Sequence, residues 1–196
     1  MNNESGLSPD KHYTYADYLT WPDDKRRELV NGFIRMMSPA PSLQHQEIAG
    51  VLYIDLYRLI ERNGGKCKVF HAPFDVRLPR NGERENDQIH TVVQPDICVV
   101  CDLSKLDKRG CLGAPDLVVE IQSLSTARYD LTDKFNLYEA SGVREYWVVF
   151  PDDGVEVFIL QPDGKYDRGT GYDCGKIPVH IFDGAELDLD KVFKNC

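Results

Sequence analysis

The chain has 196 residues, 42% hydrophobic content and a formal net charge of −9, which suits a single domain large enough to bury a core. No apolar run approaches the roughly 20 residues of a membrane span, and Met1 to Pro9 lacks the basic start and apolar centre of a secretory signal. A cytoplasmic protein is therefore expected, with a disordered lead over residues 1–12 and one domain over 13–196; its acidity counts against a broad polyanion-gripping surface.

In chain order, Tyr13 to Trp21 reads as a short helix with Thr14 as N-cap and Pro22 past its end. Glu28-Leu29-Val30 and Phe33 to Met37 flank Asn31-Gly32, the strongest short hairpin signal. After a Pro-containing loop, Ile48, Val51, Leu52, Leu56, Leu59 and Ile60 keep helical spacing up to Gly64-Gly65. Strands are expected at Cys67 to His71, Phe74 to Leu78 and Ile97 to Cys101, the last behind a polar loop over Pro79 to Asp87. Asp102 to Gly113 reads as a solvated loop. Leu117 to Ile121 is an apolar run suited to a central strand, a helix follows from about Thr126 to Ala140, and Arg144 to Phe150 returns as a strand, so the three form a parallel crossover unit. The C-terminal third reads as a β-hairpin annex. The whole is an α/β chain with a mixed sheet.

Six cysteines are too sparse and irregular for a disulfide scaffold, and in a reducing cytoplasm they are expected as thiols. Cys98 and Cys101 have zinc-site spacing, but residues i and i+3 of a strand point to opposite faces and no second pair follows, so buried structural cysteines are expected. Tyr146 and Trp147, on an apolar strand, read as core or interface rather than as base-stacking platforms.

The most informative pattern is a pair of charges on apolar faces. Glu120 lies within Leu117 to Ile121, and Lys134 shares one helical stripe with Leu131, Phe135 and Tyr138. Buried charges are retained when they pair, bind a metal or do chemistry. Asp96 heads the strand Ile97 to Cys101; if that strand neighbours Leu117 to Ile121, Asp96 and Glu120 can converge on Mg²⁺, which takes oxygen ligands. Asp116 is the weaker partner, since four residues along one strand span about 13 Å. Gln122, on the Glu120 face, could orient a water while Lys134 stabilises the charge developing on an attacked phosphodiester. A structural Glu120–Lys134 ion pair is the competing reading.

Glu28-Leu29-Val30-Asn31-Gly32, Met37-Ser38-Pro39 with His45-Gln46, Pro73 to Val76, Gln94-Pro95-Asp96, Gly113 to Glu120, Ser125-Thr126, Asp130 to Tyr138 and Gly142 to Trp147 together resemble the Uma2 family over residues 13 to 160. The resemblance implies a restriction-endonuclease-like fold of the PD-(D/E)xK class, a central mixed sheet flanked by helices, and Mg²⁺-dependent endonuclease activity, with Mn²⁺ as a substitute and DNA as the nucleic-acid partner. It implies Asp96 and Glu120 as metal ligands, Glu28 as the acid completing the metal shell, Lys134 as the superfamily lysine moved onto the following helix, His45 as a substrate or water contact, and a homodimer. The chain departs from the pattern at Gln122-Ser123-Leu124, where Leu-Ser-Pro is common. A catalytically silent nucleic-acid-binding or interaction module of the same fold is the alternative.

Overall fold

In the computed structural model, which describes residues 7–8, 10–22, 25–37, 40–80, 82–122, 130–193 and 196, with only the backbone at 130 and 131, alternation along two central strands decides the layering. These strands are β6 (Ile97–Val100) and β9 (Leu117–Ile121). With β3 (Lys68–His71), β10 (Glu145–Phe150), β11 (Gly154–Ile159) and β12 (Thr170–Tyr172) they form a six-stranded sheet in the order β12-β11-β10-β9-β6-β3. The β9–β10 pair is parallel, as the crossover reading expects, and the other pairs are antiparallel. Ile97, Val99, Leu117, Val119, Trp147 and Val149 face helix α2 (Leu43–Arg62), whose Ile48, Leu52 and Leu56 are buried against them. The alternate residues Cys98, Val100, Val118, Tyr146 and Val148 pack with Leu137 and Tyr138 of α3 (Phe135–Ser141) and with Val76. Tyr146 and Trp147 are fully buried core residues.

A single central sheet was expected, and the chain builds two mixed sheets. The second has the order β2-β1-β5-β4-β8-β7, from β1 (Arg27–Val30), β2 (Phe33–Met36), β4 (Val76–Arg77), β5 (Val92–Val93), β7 (Leu106–Asp107) and β8 (Gly110–Leu112). Its β4–β8 pair is parallel. Asp102 to Gly113 is therefore not a plain loop: a short 3₁₀ turn leads into the β7–β8 hairpin. Gly110 makes this possible, because at φ 125° a Cβ there would collide with the Asp75 carbonyl. Strands of two or three residues are too short to carry a periodic signal, which is why the second sheet is hidden in the sequence. The Asn31-Gly32 turn has φ 52° and 85°, as the β1–β2 hairpin requires. The C-terminal hairpin is present as β13 (Lys176–Pro178) and β14 (Glu186–Asp188).

One helix is shorter than its pattern suggests, and another is described only in part. Helix α1 covers Tyr15–Tyr18, with the expected Thr14 cap completed by Asp17 in a capping box. Of the helix expected over Thr126 to Ala140, Asp130–Lys134 forms a π-helical turn leading into α3, which Gly142 closes at φ 84°; the Gln122-to-Thr126 turn lies, beyond Gln122, outside the described residues. No helix of the described residues is long and apolar enough to cross a membrane.

The expectation of six thiols does not hold. Antiparallel β3–β6 pairing ends at Lys68↔Val100, so Cys67 and Cys101 fall opposite one another and form a disulfide; Cys174 and Cys196 form a second. Cys98 and Cys111 are free and buried. Cys98 packs on the α3 side of its sheet and Cys101 on the α2 side, as strand geometry demands.

Glu145 is fully buried at the start of β10, where Trp147 Nε1–H donates to Oε1 (2.8 Å) and the Ile181 amide donates to Oε2 (2.9 Å). Burial pushes its carboxyl above the usual range while these two bonds pull it back. Glu145→Ala strands both donors and is expected to lower unfolding free energy by about 3 kcal/mol, read by urea denaturation; a loss under about 1 kcal/mol would refute this role for the carboxylate.

Candidate active site

Five elements deliver charged or titratable side chains to one cleft of about 430 Å³. Glu28 comes from β1, His45 from the first turn of α2, Asp96 from the residue before β6, Glu120 from β9 and Lys134 from the end of the π-helical turn. Register explains the meeting of the two acids named from sequence. The β6–β9 ladder ends at Ile97↔Val119, and one further step sets Asp96 across from Glu120. The Ile121 amide then donates to Asp96 Oδ2 at 2.8 Å, fixing that carboxylate at the strand end.

The inward-facing lysine lies where its helical stripe sends it, with only 6% of its surface exposed. Lys134 Nζ donates to Glu120 Oε1 at 3.0 Å and contacts Glu28 Oε1 at 3.2 Å. One ammonium thus bridges two buried carboxylates from different sheets. Tyr138, one helical turn beyond Lys134, donates its hydroxyl to Glu120 Oε1 at 2.6 Å. Burial, followed by the Glu120 and Glu28 charges, pushes the Tyr138 phenol far above its usual value, so it remains a neutral donor. The Gln94 amide donates to Glu28 Oε1 at 3.0 Å.

His45 Nε2 lies 3.2 Å from Asp96 Oδ2. Burial opposes charging of this imidazole, but the hydrogen bond and charge of Asp96 outweigh it and raise its pKa. Its buried Nδ1 has no hydrogen-bond partner among the described residues. Gln122 is buried two positions beyond Glu120 and is not part of the cleft lining; neither amide atom of its side chain has a partner among the described residues. Asp116 is tied elsewhere, accepting from the Cys101 amide at 2.7 Å and from Arg144 at 3.1 Å.

Two residues escaped the sequence reading of the site. Gln94 links three parts of it: besides its amide bond to Glu28, its side-chain oxygen accepts from Arg26 and its nitrogen donates to Asp75 at 2.9 Å. Its position in Gln94-Pro95-Asp96 was visible, but its partners are distant in sequence. Tyr138 was placed on the inward stripe without a role, although its spacing of four from Lys134 was the available signal.

The donor set suits a hard cation: carboxylate oxygens, with no thiolate in the cleft lining. The Asp96 side chain is 23% exposed against 6% for Glu120, making Asp96 the acid a hydrated ion meets first. Among the described residues, Glu28, Asp96 and Glu120 do not bring one oxygen each within 4.8 Å of one another. An ion held by Asp96 and Glu120 with waters therefore fits better than a three-carboxylate cage, since Mg²⁺ often takes one or two protein carboxylates.

Comparison with known proteins adds three findings. The profile of a family described as "Uma2: Putative restriction endonuclease" matches residues 15–172. A protein of Synechocystis sp. described as uncharacterized is 28% identical over 171 residues, covering 85% of this chain and 83% of its own. The crystal structure of "a putative nuclease belonging to DUF820" from Anabaena variabilis aligns with a TM-score of 0.67 at 18% identity, covering 92% of this chain and 97% of that one; at that identity the likeness speaks for the fold.

Removing the ammonium tests the bridge. Lys134→Met leaves two buried carboxylates uncompensated and is expected to cost about 3 kcal/mol or more of unfolding free energy, measured by chemical denaturation at neutral pH. A loss as small as that of an exposed pair, below about 1 kcal/mol, would refute it.

Proposed function

Because the chain belongs to the Uma2 family, we propose that it is a Mg²⁺-dependent endonuclease that hydrolyses phosphodiester bonds of DNA, on a restriction-endonuclease-like fold of the PD-(D/E)xK class. The observation that carries this reading is the meeting of Asp96, Glu120, Glu28 and Lys134 from separate elements on one cleft. Asp96 and Glu120 would hold Mg²⁺, or Mn²⁺ in its place, and the ion would supply Lewis-acid polarisation of the phosphoryl group. Glu28 supports the shell by sharing Lys134 with Glu120. Lys134 neutralises charge as it builds on the phosphoryl oxygens. His45 is assigned the substrate contact beside Asp96, and Gln122, buried outside the cleft lining, is given no contact with the attacking water.

Local charge removes the main objection, the acidity of the whole chain. The cleft sets Arg26, Arg35 and Lys134 against Glu28, Asp96 and Glu120, so it is balanced within a chain of net charge −9. A divalent cation tips that balance to positive where a polyanion must bind.

One observation favours a second reading, a catalytically silent module of the same fold: Glu28 and Glu120 are already paired with Lys134, and His45 already contacts Asp96. Metal binding and cleavage separate the two. Purified protein with Mg²⁺ or Mn²⁺ is expected to cut plasmid DNA, and Asp96→Ala and Glu120→Ala should each lower the rate by about a thousand-fold. Calorimetric titration with Mn²⁺ should show binding that Asp96→Ala removes. Cleavage that survives both substitutions sinks the site, and absence of both cleavage and Asp96-dependent binding favours the silent module.

A further inference from the structure

The α2 part of the cleft lining points to the form of DNA it accepts. Gly50 lies in the interior of α2, where glycine costs helix stability relative to alanine. Packing does not demand it, because a Cβ built there would meet nothing within 4 Å. The missing side chain keeps open the part of the cleft that Gly50 lines. Around it Met36 and Ile54 are 63% and 48% exposed, large apolar side chains left in water beside a polar floor. Tyr53 joins them, its ring set edge-on against His71 at 5.0 Å and 88°. His71 is itself oriented, since its Nδ1–H donates to the Ala72 carbonyl at 2.8 Å.

The opposite side is polar. Arg26 is held by two hydrogen bonds to Gln94 Oε1, at 3.3 and 3.1 Å, and lines the same cleft as Lys134 and the acids. A ligand matching both sides carries an anionic group at one end and a flat apolar face at the other, which describes a nucleotide. Its volume of about 430 Å³ is that of a small-ligand pocket, about 300–1,000 Å³. A base within a duplex is stacked and paired and cannot offer its face to Tyr53, whereas an unpaired base can. Glu28 and Glu120, each 4% exposed, lie at the floor, out of reach of a stiff rod resting on the rim.

We infer that the cleft takes one unpaired nucleotide of single-stranded DNA, its base over Gly50 between Tyr53, Ile54 and Met36 and its phosphate toward Arg26 and Lys134. This rests on the nuclease reading for its substrate class but is tested by binding. In Mg²⁺, fluorescence anisotropy with a labelled phosphorothioate oligonucleotide, which resists hydrolysis, is expected to show affinity at least ten-fold tighter for the single strand than for its duplex. Gly50→Leu, a better helix former that fills the space, should weaken single-strand binding about ten-fold or more, as should Tyr53→Ala through loss of stacking.

Equal affinity for the duplex, unchanged binding by Gly50→Leu, or competition by thymidine monophosphate as strong as by the oligonucleotide would each overturn the inference. The two readings fail separately. Single-strand binding that Gly50→Leu destroys, in a protein that never cuts, removes the nuclease reading alone; cleavage of duplex DNA undiminished in Gly50→Leu removes this one alone.

Discussion

The ammonium of Lys134, held between Glu28 and Glu120, is the interaction on which the rest of the site depends. Glu28 belongs to the sheet built around β1 and Glu120 to the sheet built around β9, so this bridge joins the two layers where they meet the cleft. Taking three charges out of water is unfavourable unless geometry and further hydrogen bonds compensate. Here the Tyr138 hydroxyl and the Gln94 amide supply those bonds. The arrangement also constrains chemistry. Of the three acids, Glu28 and Glu120 share one cation and Asp96 contacts a histidine, so the cluster keeps an excess of carboxylate that a metal would meet.

Such a cluster is stable and responsive at once. Arg26 and Arg35, which line the same cleft, offset its remaining negative charge despite the excess of acidic side chains over the whole chain. Backbone donors, Ile121 for Asp96 and Gln94 for Glu28, fix two of its carboxylates alongside the Lys134 and Tyr138 side chains. Preorganised donors and acceptors of this kind cost little reorganisation when charge develops nearby. On the same cleft, Met36 of β2 and Ile54 of α2 stay exposed, while Tyr53 packs partly against the core.

Much of the scaffold follows from local pattern. Leu117 to Ile121 and Arg144 to Phe150 are apolar enough to be central strands, and they pair in parallel as a crossover requires. The Asn31-Gly32 turn and the apolar spacing of α2 are equally direct. Short strands behave differently. Val92-Val93 exists because distant partners offer it hydrogen bonds, and Leu106-Asp107 because Gly110-Cys111 folds back on it, not because two residues prefer an extended form. The disulfide between Cys67 and Cys101 belongs with them, since a register across 34 residues brings the two sulfurs together.

By itself the sequence determined that Lys134 faces inward and that Glu120 interrupts an apolar strand, because side-chain direction in helices and strands follows from periods of 3.6 and 2 residues. It also marked Asp96 as an acid heading a strand, and the β6–β9 pairing made that strand the neighbour of Leu117 to Ile121. Only the tertiary structure decided that Lys134 bridges Glu28 as well as Glu120, that Gln94 ties Glu28 to Arg26, and that Gly50 lines the cleft holding the acids. The reason is physical: these contacts join residues tens of positions apart, and no local preference encodes a distance that only the packing of two sheets and a helix sets.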